Sequence, residues 1–125
     1  MKEPVSTTKA PAAVGPYSQG VKAGGFVYVS GQLPVDPAAK AMVEGGIAER
    51  TARCLENCKA VLEAAGSGLD KVVKVTVLMR DMADFAAMNE VYAGYFPSEP
   101  PARAAFQVAR LPLDAQIEIE MIALA

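Results

Sequence analysis

Histidine is absent from all 125 residues. No imidazole is available for acid–base work, proton shuttling or metal ligation, which excludes catalytic triads, His-ligated zinc and paired-His nuclease mechanisms. Cysteine is scarce: Cys54 and Cys58 stand alone, four positions apart. Two thiols are too few for a disulfide scaffold or a structural zinc site, and neighbours on successive helical turns rarely bridge. They read as small apolar residues on a helix face in a reducing compartment. No apolar run approaches the roughly 20 residues of a membrane span. Met1-Lys2-Glu3-Pro4 has neither the apolar core of a signal peptide nor an Arg-rich presequence. Excess positive charge is missing too, since 12 Lys and Arg face 14 Asp and Glu. That balance is a poor footprint for a nucleic-acid binder. The expectation is a soluble cytoplasmic protein with no nucleic-acid or membrane partner.

What is present suffices for a real core. Apolar residues at 52% against 21% charged exclude disorder as the main state, and the length fits one domain over residues 1–125. Ile47, Thr51, Cys54, Leu55, Cys58, Val61, Leu62 and Ala65 recur at helical steps, and Gly66 suits the helix end. A second helix is expected from an Asp81 cap through Phe85, Met88, Tyr92, Tyr95 and Phe96 to a stop at Pro97. Strands are expected around Ser18–Lys22, Phe26–Ser30, Val72–Met79, Ala104–Val108 and Gln116–Ile122, with Gly24-Gly25 turning the first hairpin. The order β-β-α-β-α-β-β, with room for a short N-terminal strand, describes a two-layer α+β domain. Two helices cover only one face of such a sheet. The other mixes Val, Ile and Leu with Lys74, Thr76 and Glu118, a composition suited to packing against another subunit.

Several segments have residues suited to chemistry. Gly15-Pro16-Tyr17-Ser18-Gln19-Gly20 is either a turn into the first hairpin or a binding loop. Ser30-Gly31-Gln32 ends a strand with a glycine that lets a ligand approach the backbone. Pro100-Pro101-Ala102-Arg103 aims an Arg from a stiff strand start; its planar fork suits carboxylates, although an exposed surface Arg would look the same. Strand alternation puts Glu118 and Glu120 on one face. That face is ordinary solvated surface unless an interface buries it, in which case one Glu becomes a water-orienting base.

Together, Gly15–Gly20, Ser30–Gln32, Pro101-Ala102-Arg103, Val108-Ala109-Arg110-Leu111-Pro112 and Ile117–Glu120 resemble the Rid (YjgF) family of reactive intermediate deaminases in order and spacing. The resemblance spans about Thr8 to Ile122. It implies a chorismate-mutase-like fold, a mixed sheet with two helices on one face, assembled as a homotrimer around a central sheet barrel with sites between subunits. It also implies hydrolysis of 2-iminopropanoate and 2-iminobutanoate to 2-oxo acids and ammonia, without cofactor or metal, which protects pyridoxal-phosphate enzymes. Under it, Arg103 binds the substrate carboxylate with help from the Gly31 amide, and Glu118 handles the attacking water. Tyr17 and Ser30 line the cleft, with the Tyr17 hydroxyl close to the reacting nitrogen or water. Ala105 stands where family members commonly have Cys; its backbone can still contact ligand, but no thiol role survives. The other readings attached to such proteins are a non-catalytic carboxylate-metabolite binder and a translation-inhibiting ribonuclease. The second fits poorly with absent histidine and a net charge of −2.

Overall fold

The computed structural model describes all 125 residues. Strands β1 (Glu3–Val5), β2 (Gly20–Ala23) and β3 (Phe26–Gln32) are followed by a small hairpin, β4 (Val35–Asp36) and β5 (Ala41–Met42). Helix α1 (Ile47–Ala64), β6 (Val72–Met79), α2 (Phe85–Tyr95), β7 (Ala102–Gln107) and β8 (Ile117–Leu124) complete the chain. Six strands form one mixed sheet in the order β1-β2-β3-β8-β6-β7, with only β6 and β7 parallel. The expected two-layer α+β architecture is present. The β4–β5 hairpin is an addition, because two-residue strands carry no periodic signal.

Helix α1 forms where the periodicity placed it. Glu49 Oε1 accepts from the Gly46 N–H at 2.7 Å at its start. Its end is a Schellman turn: Gly66 takes φ +81°, while the N–H groups of Ser67 and Gly66 donate to the carbonyls of Leu62 and Glu63. Its face of Cys54, Leu55, Cys58, Val61 and Leu62 is buried in one core with Val27, Val29, Val75, Val77, Ile117 and Ile119. The thiols of Cys54 and Cys58 point at the β8 carbonyls of Ile117 and Ile119, at 3.9 and 3.5 Å. Burial pushes both thiols well up, so they stay protonated and act as apolar filler.

Helix α2 starts later than expected. Asp81 caps a short 3₁₀ turn, Met82–Asp84, its carboxylate accepting from the Ala83 N–H at 2.9 Å, and the α-helix begins only at Phe85. Met88, Tyr92 and Phe96 are buried, and Phe85 and Tyr95 pack at the margin. No helix is long and apolar enough to cross a membrane.

Both helices lie on one face of the sheet. The other presents Phe26, Tyr28, Lys74, Thr76, Phe106, Glu118, Glu120, Ile122 and Leu124, each set by period-two alternation against buried neighbours. Tyr28, Phe106 and Leu124 remain 45%, 46% and 47% exposed. That is a large apolar content for a surface in water, interspersed with Lys74, Thr76, Glu118 and Glu120.

Candidate functional site

The centre of interest is an irregularity in β3. Its pairing with β8 slips between Val29 and Gln32, leaving Ser30 and Gly31 in a bulge. Ser30 anchors the preceding loop: its hydroxyl donates to the Ser18 carbonyl at 2.5 Å, and its N–H donates to the Gln19 carbonyl at 3.0 Å. Gly31 lies directly over Glu118. A Cβ at Gly31 would overlap Glu118 Oε2 and lie 2.8 Å from the carboxyl carbon. Any side chain at Gly31 would therefore displace the carboxylate.

Glu118 and Glu120 differ in their surroundings. Glu118 is half-buried, whereas Glu120 is exposed. Burial raises the Glu118 pKa above the usual carboxylate range, and the neighbouring Glu120 charge adds to the rise. Such a carboxylate is a better proton acceptor than an ordinary one.

Beside the bulge, an open cleft of about 1190 Å³ is lined by Tyr17, Gly31 and Gln32, by the Pro4–Val14 side and by the β4–β5 hairpin. Gln19 builds one wall. Its buried amide accepts from the Thr7 N–H at 2.7 Å and donates to the carbonyls of Thr7, Ala10 and Pro11. Asn57 holds the opposite wall, donating from α1 to the Leu33 and Val35 carbonyls. Ser30, Arg103, Ala105 and Glu118 are outside this lining; Tyr17 and Gly31 are inside it.

Arg103 occupies a separate place. In β7 it pairs with the buried Val75, and its side chain turns to the helix side. There its guanidinium carbon lies 4.7 Å from the Tyr92 ring centre and 5.5 Å from that of Phe85. Nη1 donates to Asn89 Oδ1 at 2.7 Å. No carboxylate pairs with it; the only ion pair in the chain joins Arg80 to Asp114. Ala105, two residues on, packs against the core on the same side.

Glu118 faces the other side of the sheet, opposite Leu78 in β6. Two inter-strand gaps of roughly 4.8 Å and three residues of roughly 3.3 Å rise separate the two backbones by about 14 Å. One copy of the chain does not bring Arg103 to Glu118.

Sequence reasoning missed the residues around Arg103. Phe85 and Tyr92 read as core stripe alone, and Asn89 was passed over. The available signal was a polar residue four positions after Phe85 and three before Tyr92, within that stripe.

Residues 7–125 match the family described as Endoribonuclease L-PSP. The chain belongs to this family, the Rid proteins. A RutC family protein of Pyrococcus horikoshii is 55% identical, over 98% of both chains. The 2-iminobutanoate/2-iminopropanoate deaminase of mouse is 49% identical, over 98% of this chain and 91% of its own. The solved structure of E. coli TdcF with bound serine superposes with a TM-score of 0.94 at 41% identity, covering 98% of each chain. In this Rid protein, then, two clusters stand apart: Gly31 with Glu118 beside the Tyr17 cleft, and Arg103 on its α2 support.

Proposed function

We propose that this Rid protein hydrolyses 2-imino acids to 2-oxo acids and ammonia at sites shared between copies in a homotrimer. The observation that carries the reading is the pair of complementary, separated half-sites. Arg103 is a partly buried cation with no anion, and Glu118 is a half-buried carboxylate with a raised pKa and no cation. A three- or four-carbon acid is too short to reach both within one chain. Two copies joined with the β7 edge of one against the open sheet face of the other would bring one half-site to the other. The mouse relative's name and the serine in the E. coli structure support a small amino-acid-like ligand.

The chemistry asks little of the protein. Arg103 binds the carboxylate of the protonated imine, leaving C2 to face the water held at Glu118. As the water oxygen bonds to C2, the C=N electron pair moves to nitrogen and Glu118 takes the water proton. The tetrahedral carbinolamine then collapses: Glu118 returns its proton to nitrogen, and the hydroxyl oxygen forms the C=O bond as the C–N bond breaks. The hydroxyl proton passes through Glu118 to the departing ammonia, so that the 2-oxo acid and ammonium leave and the carboxylate is restored. Tyr17, half-exposed beside Gly31, supplies a hydroxyl at the cleft wall.

Subunit mixing tests the shared site. An amino-acid oxidase generates imines in the presence of semicarbazide, and deaminase activity lowers the semicarbazone yield. Arg103→Ala and Glu118→Gln copies should each be inactive. Refolded together at equal amounts, they should regain about a quarter of wild-type activity, since random pairing in a closed ring leaves that share of interfaces intact. No recovery, or a monomer by light scattering, would overturn the shared site.

Gly31→Ala should displace the Glu118 carboxylate and bring turnover down to the level of Glu118→Gln. Combining the two changes should cost nothing further, because both act through one group. Additive losses in the same assay would separate Gly31 from Glu118.

A further inference from the structure

We infer that α2 holds Arg103 in a deliberately uncharged cradle, and that Asn89 is a positioning residue whose neutrality makes the site selective for anionic ligands. The inference rests on the reading of Arg103 as the carboxylate anchor, and it adds how that anchor keeps its charge available. An Arg that is partly buried in a protein ordinarily finds an acid. Here the side chain meets one amide oxygen and two aromatic rings, and no carboxylate. These contacts direct the guanidinium through a hydrogen bond and ring-face attraction while leaving its full positive charge uncompensated. One of its five N–H groups is spent on Asn89, which leaves enough for a two-point grip on a ligand carboxylate.

Tyr92 completes the cradle as a ring rather than as an acid. Its hydroxyl is buried with no well-formed hydrogen bond, beside the Arg103 guanidinium. Burial raises its pKa, and the nearby Arg103 pulls only partly the other way, so the phenol stays neutral. Asn89 is the position where one atom decides the outcome. An Asp there would keep the shape and the acceptor oxygen but place an anion 2.7 Å from Nη1, in direct competition with the substrate.

The test uses Asn89→Asp and Arg103→Ala as intact assembled protein. Binding is read by calorimetry with 2-oxobutanoate and, as the uncharged counterpart, 2-oxobutanamide. Asn89→Asp should weaken 2-oxobutanoate at least roughly tenfold, the scale of a hydrogen-bonded charge. The amide should change less than about twofold, because no charge is lost for it. In turnover, the same variant should raise KM with kcat nearly unchanged. A structural defect would weaken both ligands equally, and that result overturns the proposal. So does unchanged 2-oxobutanoate binding in Asn89→Asp when Arg103→Ala has lost it. If Arg103→Ala itself binds 2-oxobutanoate normally, the anchor reading fails and this inference falls with it.

Discussion

Arg103→Ala is expected to abolish imine hydrolysis while leaving the fold and the assembly intact. The side chain sits at the sheet edge over Tyr92 and Phe85, outside the main core, so truncation removes a half-buried stem and no central packing. A hydrogen bond to a charged group is worth about 1.5–3 kcal/mol, or roughly 10- to 150-fold in affinity. Orientation adds to this, because C2 must be presented to the water held on the other half-site, and misplacement by an ångström lowers kcat as well. Arg103→Lys should recover little. An ammonium is a point charge that cannot keep the Asn89 bond, the ring contact and a two-point carboxylate grip together. Both variants can be measured in the semicarbazone assay, with circular dichroism and light scattering as controls. Near-normal turnover in the Ala variant would remove Arg103 from the site.

How far these features could be read from the sequence depends on range. Val72–Met79 was legible to the residue because a run rich in β-branched residues between polar turns favours a strand. Helix α1 was legible for the same reason, as a long stripe with a glycine stop. The two-residue strands β4 and β5 were not, since nothing periodic fits in that length. Asp81 was recognised as a cap but assigned to the wrong turn, because a cap specifies the first helical turn and not whether that turn is 3₁₀ or α. At the site, residue types were legible and their partners were not. Gly31 carried the signal of a close approach, but only the fold shows that the approaching group is Glu118. Arg103 carried the chemistry of a carboxylate fork, but its direction depends on contacts made across the sheet edge to α2. The placement of Arg103 and Glu118 on opposite faces emerges only from strand order and register, and the proposed shared site rests on that placement.

Glu118→Gln is expected to retain assembly and ligand binding but lose most turnover, while Glu120→Gln loses little. The sequence alone left the pair equivalent in geometry, since both lie on one face of one strand. The structure separates them: Glu118 is half-buried under Gly31, and Glu120 is exposed. Glutamine matches Glu118 in shape and still accepts a hydrogen bond from water, but it cannot take a proton. Removing a general base typically costs about 10²–10⁴ in rate. The pH dependence supplies an independent check with a definite sign. The base works only when ionised, so activity must fall as pH drops through the Glu118 pKa. Burial, then Glu120, raises that value, so the acid limb should sit above the usual carboxylate range. Glu120→Gln removes the smaller cause and should move the limb slightly down; Glu118→Gln should erase it. Stability runs the opposite way. The folded carboxyl holds its proton more tightly than the unfolded one, so its contribution is greatest below the unfolded pKa and is lost as pH rises through the raised folded value. At neutral pH, Glu118→Gln should therefore unfold at a denaturant concentration no lower than wild type. Turnover lost with stability kept or gained identifies Glu118 as a group whose burial serves the reaction. Full turnover in Glu118→Gln with an intact acid limb would show that the water is activated elsewhere.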